Sequence, residues 1–151
     1  MRFVADTSAI IAAIIKDEPR HIECRTILDE AAHVFITPYV TAEVFYLLNS
    51  VGHYSAALSF LLDIAEGFYE VVNPDATAYQ VARDLIIGIS GKLMRKKTKT
   101  GSLDLANAMN IVIAAQQETT IIASLDQDYR QVEPLNGPRF FTLLPEDAVI
   151  S

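Results

Sequence analysis

A single cysteine, Cys24, stands in 151 residues. It excludes an intrachain disulfide and any zinc cage built on cysteine, and it fits a reducing compartment. No run reaches the ~18 uninterrupted apolar residues that a membrane-spanning helix needs. The opening MRFVADTSAII sets Asp6 inside what would be the apolar stretch of a signal peptide. The expected location is therefore the cytoplasm, with no membrane partner. Basic residues are also scarce: 12 Lys and Arg face 19 Asp and Glu, a formal charge of −7. That balance excludes a general nucleic-acid coating protein, because binding by counterion release needs many phosphate contacts. No linker, low-complexity tract or internal repeat divides the chain, so one domain over residues 1–151 is expected. With 51% apolar and 21% charged residues, the chain is not disordered. At this length a domain buries roughly two-thirds of the surface its unfolded chain exposes.

What is present is ordered. Five short apolar runs read as strands, at residues 2–5, 34–37, 69–72, 120–123 and 140–144, and most are continuous in hydrophobicity, as strands covered on both faces are. Segments with helical spacing lie between them at 8–15, 20–32, 40–49, 55–66, 76–89 and 103–117, with Pro19, Pro74 and Ser102 as helix starts. Alternating strands and helices predict an α/β fold, a three-layer α/β/α sandwich around a mainly parallel sheet. Phe45, Tyr46, Leu47, Leu48, Phe60, Leu61 and Leu62 are expected in the core, or else on a surface joining two copies. His21, His33 and His53 are scattered, without ligand spacing, and read as surface or structural residues.

In such sheets ligands bind beyond the carboxyl ends of the strands. Asp6 follows the first strand, with Thr7 and Ser8 beside it, and Asp126 and Asp128 follow the fourth just after Ser124. Capping of the next helix is the plain alternative for Asp6. Glu43 has Tyr39, Val40, Tyr46 and Leu47 as helical neighbours, so its carboxylate is expected on a buried face, where it would need a cation or hydrogen bonds. Asp104 opens a long apolar helix on which Asn107 and Asn110 repeat at intervals of three. Carboxylates drawn together repel one another unless a cation is held between them, and an all-oxygen set favours Mg²⁺ or Mn²⁺ over zinc.

The ordered set DTS, then VTAEV, then an Asp-bearing helix running through IVIAA, then SLDQDY resembles the PIN-domain family, and within it the VapC-type toxin ribonucleases of toxin–antitoxin pairs. The resemblance covers nearly the whole chain. It implies a small α/β/α sandwich, metal-dependent cleavage of RNA phosphodiesters, a cognate antitoxin and a homodimer. Carried over, the first acid falls on Asp6, the second on Glu43 and the fourth on Asp126, with Asp128 accessory. The third departs from the pattern, because the column that is usually Asp holds Asn107 within LANAM, and Asp104 one turn earlier is the available carboxylate. Thr7, Ser8, Asn107 and Ser124 are expected as accessory residues. Lys92, Arg95, Lys96, Lys97 and Lys99 form a basic loop expected to hold substrate phosphates.

Two other readings stay open. A catalytically weakened PIN-like module that binds RNA or a protein is suggested by Asn107. A phosphotransfer enzyme of another α/β fold fits less well. A haloacid-dehalogenase-type site wants D-x-D after the first strand, and a receiver domain wants a lysine after its last core strand.

Overall fold

The computed structural model describes residues 1–95 and 103–148, with side chains outside 89–95. Five strands, β1 (Arg2–Ala5), β2 (His33–Ile36), β3 (Glu70–Val71), β4 (Ile121–Ala123) and β5 (Thr142–Leu144), form one sheet in the order β3-β2-β1-β4-β5. Every pairing is parallel, with Val4 beside Ile122 and Ala5 beside Ala123. Six helices, α1 (Thr7–Ile14), α2 (His21–Asp29), α3 (Pro38–Ser50), α4 (Tyr54–Ala65), α5 (Ala76–Arg95) and α6 (Leu105–Gln116), link the strands.

The strand period of two divides the core. Phe3, Ala5, Val34, Ile36, Ala123 and Leu144 point to one face, against buried residues of α1 to α4. Val4, Phe35, Ile122 and Leu143 point to the other, against α5, α6 and a 3₁₀ turn at Gln127–Gln131. That is the expected three-layer sandwich, and its doubly buried strands account for the continuous apolar runs. The chain walks outward from β1 to β2 and β3, then returns through α5 and α6 to β4 on the other side of β1. The topological switch point, where such sheets bind ligands, therefore lies between the carboxyl ends of β1 and β4.

Several boundaries differ from expectation. Pro74 does not open α5; the Asp75 side chain accepts the Ala78 N–H at 2.9 Å, and the helix begins at Ala76. Nor does Pro19 open α2, which starts at His21. Asp104 rather than Ser102 caps α6, accepting the Asn107 N–H at 2.8 Å. Helix α5 continues beyond residue 89 to Arg95, so the first part of the basic segment is helix rather than loop. Of the helical apolar residues expected in the core, Leu48 and Phe60 are buried and Phe45 is half-buried, while Tyr46, Leu47, Leu61 and Leu62 are exposed. Cys24 is buried, and desolvation pushes its thiol up to about 11, as suits an inert core residue.

Candidate active site

Asp6 leaves the end of β1, where its N–H donates to the Ala123 carbonyl of β4 at 2.9 Å, and it caps α1. Capping is only part of its role. Its Oδ1 accepts the Thr7 N–H at 2.9 Å and the Asn110 Nδ2 at 3.2 Å, and its Oδ2 accepts the Ser124 hydroxyl at 2.8 Å. Ser124 gives its one proton to Asp6, so in the 3.1 Å contact between the two serine hydroxyls Ser8 is the donor. The oxygens of Ser8 and Ser124 then accept the N–H groups of Leu125 and Asp126. The two serines thus lock the loop after β4 onto the start of α1.

The second acid is held as firmly. Asp126 caps the 3₁₀ turn, its Oδ1 accepting the Asp128 N–H at 2.9 Å, while its Oδ2 accepts Asn107 Nδ2 at 2.9 Å. Helix α6 therefore reaches both acids, Asp6 through Asn110 and Asp126 through Asn107. The two asparagines meet at Tyr129, whose fully buried hydroxyl accepts from Asn110 Nδ2 at 2.9 Å and donates to Asn107 Oδ1 at 3.1 Å. Tyr129 is the member that sequence reasoning missed, and Asn110, noted only in the polar repeat, was given no role. Their traces were the interval of three after Asn107 and the Tyr closing SLDQDY.

Burial raises the Asp6 carboxyl to about 6, against the lowering pull of Ser124 and Thr7; the charges of Asp126 and Asp104 raise it further. Asp128 is raised by desolvation and then by Asp126 and Asp104. Four carboxylates thus lie within electrostatic reach at one sheet edge. Glu43 is a correction. Helix α3 buries Val40, Val44 and Leu48, whereas Glu43 is exposed, as are its neighbours Tyr46 and Leu47, so the burial argument for it fails. Lys96, Lys97 and Lys99 lie outside the described residues, as do the side chains of Lys92 and Arg95.

Among the described residues no three His, Cys, Asp or Glu side chains converge into a ready-made ion cage. A hard divalent ion does not require one, because Mg²⁺ keeps several waters and is commonly held by one or two carboxylates together with substrate phosphates. The donor set fits such an ion. Every side-chain donor is oxygen, Asp6 is costly to ionise without a counter-charge, and two buried oxygens beside it, Thr7 Oγ1 and Asn110 Oδ1, find no hydrogen-bond partner among the described residues.

Asp104 allows a clean separation of roles. Asp104→Asn is expected to leave the melting temperature unchanged, since Asn caps as well as Asp, whereas Asp104→Ala costs about 1 kcal/mol. Loss of activity in the Asn variant would make Asp104 the acid that stands in for position 107. Near-parental activity would confine it to capping.

The model of the PIN domain matches residues 3–134. Ribonuclease VapC26 of Mycobacterium tuberculosis (strain ATCC 25618 / H37Rv) is 29% identical over 144 residues, covering 94% of this chain and 99% of that protein. The crystal structure of Mycobacterium tuberculosis VapC20, described as a sarcin-ricin loop cleaving toxin, matches with a TM-score of 0.67 at 16% identity, over 83% of this chain and 91% of that one. VapBC2 from Rickettsia felis, crystallised on a DNA fragment from its promoter, matches with a TM-score of 0.61 at 16% identity, over 95% and 97% of the two chains.

Proposed function

Because the chain belongs to the PIN-domain family, we propose that it is a Mg²⁺- or Mn²⁺-dependent endoribonuclease, the toxin of a toxin–antitoxin pair, acting in the cytoplasm as one domain over residues 1–151. The observation that carries this reading is the pairing of Asp6 and Asp126 across the switch point, each acid held by hydrogen bonds from α6. The similarity to a named ribonuclease over 94% of the chain supports it.

Asp6 and Asp126 would hold the metal, with Asp104, Asp128 and, on the family motif, Glu43 completing the acidic set. When bound, Mg²⁺ or Mn²⁺ supplies charge neutralisation at the phosphate and acidity to an attacking water. The protein's own groups do the positioning. Ser124, Asn110 and the Thr7 N–H fix both oxygens of Asp6, and Asn107 with the Asp128 N–H fixes both of Asp126. Acids held in this way do not have to reorient when substrate arrives. Lys92, Arg95, Lys96, Lys97 and Lys99 are proposed to grip substrate phosphates, a role that the salt dependence of RNA binding reads directly.

Purified protein incubated with a panel of RNAs is expected to cleave only with added Mg²⁺ or Mn²⁺ and to stop with EDTA. Sustained cleavage after exhaustive metal removal would sink the mechanism. A weakened module that only binds RNA or protein has one observation in its favour, the Asn107 amide placed where the family carries an acid; RNA binding without cleavage in the same assay would establish it. The proposed partners are an antitoxin, as in the VapBC complex, and a second copy of the chain. Tyr46 and Leu47 on α3, Val51 just after it, and Tyr54, Leu58, Leu61 and Leu62 on α4 are exposed apolar residues that a second copy could cover. Light scattering is expected to give twice the chain mass, and a monomer at micromolar concentration would remove the homodimer. Among the described residues no helix is long and apolar enough to cross a membrane.

A further inference from the structure

We propose that the Tyr129 hydroxyl, acting with Asp126, fixes which way the Asn107 side-chain amide faces, making Tyr129 and Asn107 positioning residues for the Asp126 carboxylate. The kinetic consequence rests on the nuclease reading above; the orientation itself does not.

The argument is a count of protons. Ionised Asp6 and Asp126 can only accept hydrogen bonds. Asn110 must therefore turn its amino group toward Asp6, since the reverse orientation would set its carbonyl oxygen against a carboxylate. The same amino group supplies its second hydrogen to the Tyr129 oxygen. A phenol has one proton, and with the Asn110 side already a donor, that proton goes to Asn107 Oδ1. Asn107 is then left with its amino group toward Asp126 Oδ2. Each link permits one direction, so a chain of five side chains, Asp6–Asn110–Tyr129–Asn107–Asp126, has a single consistent arrangement. All three middle members are buried, out of competition with bulk water.

The carbonyl oxygen of Asn107 is thereby held by Tyr129 and its amino group by Asp126, so the side chain is fixed at both ends. Without the hydroxyl, the Asn107 carbonyl oxygen loses its donor, and the amide that serves Asp126 is held at one end only. Phenylalanine at 129 would keep the edge-to-face contact with Phe141, at 6.4 Å between centroids, so packing and orientation are separable.

The test uses the full chain with Tyr129→Phe, Asn107→Leu and both together. In the metal-free parent, the Asn107 side-chain NH₂ signals in nuclear magnetic resonance spectra are expected to be protected from exchange. In Tyr129→Phe that protection should fall at least tenfold. With RNA and Mn²⁺, Tyr129→Phe should lower kcat by about 10–100-fold, the usual cost of removing a partner that orients a ligand, with KM held within about twofold. The double variant should be no worse than the worse single one, because the two changes break the same chain. Unchanged Asn107 signals in Tyr129→Phe, or losses that multiply in the double variant, would overturn the inference. If Tyr129→Phe does not fold, Asn107→Leu decides through loss of protection of the Tyr129 hydroxyl proton. If the parent cleaves no RNA, the nuclease reading has failed, and the spectra alone decide the orientation.

Discussion

Asp6→Asn is expected to abolish RNA cleavage and, in EDTA at neutral pH, to make the protein more stable. Both effects have one origin. The folded chain holds the Asp6 proton until pH about 6, whereas the unfolded chain releases it near the ordinary 3.8. Between those values the native state binds more protons, so stability falls as pH rises through the window and stays reduced above it. The penalty for the ionised carboxylate at pH 7.5 is on the order of 3 kcal/mol. Asparagine removes it while keeping most of the bonds: its Oδ1 still accepts from Thr7 and Asn110, and its amino group faces the Ser124 hydroxyl, which can accept once its own proton turns to Ser8. The variant should melt roughly 5–10 °C higher at neutral pH for a chain of this size, and the two melting curves should meet near pH 4. Melting across pH 4–8 in EDTA, alongside an RNA assay with Mn²⁺, measures both. A variant that cleaves normally and melts in parallel with the parent would return Asp6 to a capping residue.

Asn107→Asp should have the opposite sign. Without metal, Asp126 would lose a charge-assisted donor, worth about 1.5–3 kcal/mol, and gain a second carboxylate in its place. A melting point several degrees below the parent's is expected in EDTA. Mn²⁺ should offset most of that loss, since an ion at a hundred times its dissociation constant stabilises by about 2.7 kcal/mol. The substitution adds a charged oxygen ligand beside Asp126, so the variant should bind Mn²⁺ at least tenfold more tightly than the parent, as titration calorimetry reads. Equal melting in EDTA and an unchanged Mn²⁺ affinity would mean that position 107 is outside the metal's reach.

The strand ends carrying Asp6 and Asp126 were legible because a carboxylate just after a doubly buried strand falls at the carboxyl edge of the sheet, where ligands bind. Glu43 shows where that logic stops. Apolar residues stand on both the buried and the exposed sides of α3, so neighbours at three and four positions did not identify which side Glu43 takes. Tyr129 was invisible, and Asn110 visible only as a polar repeat without a role, for a different reason. An amide and a phenol announce no chemistry singly, and their meaning arises only when α6 and the 3₁₀ turn bring them between two acids. The extension of α5 to Arg95 was missed because Gly88 and Gly91 weaken a helix and so read as its end, whereas GKLMR contains no residue that stops one.

The partners of Asp6 come late in the chain: Asn110 is 104 positions away and Ser124 is 118. During synthesis, β1 and α1 to α4 can collapse on one side of the sheet long before α6, β4 and Tyr129 have been made. A ribosome that stalls before residue 110 therefore holds a fragment in which Asp6 lacks both Asn110 and Ser124 and Asp126 has not been made. Such a fragment lacks the core face built by α6 and Tyr129 and is poorly stabilised, which exposes it to cellular proteases. The order in which the chain is written thus keeps the acids apart until translation is nearly finished.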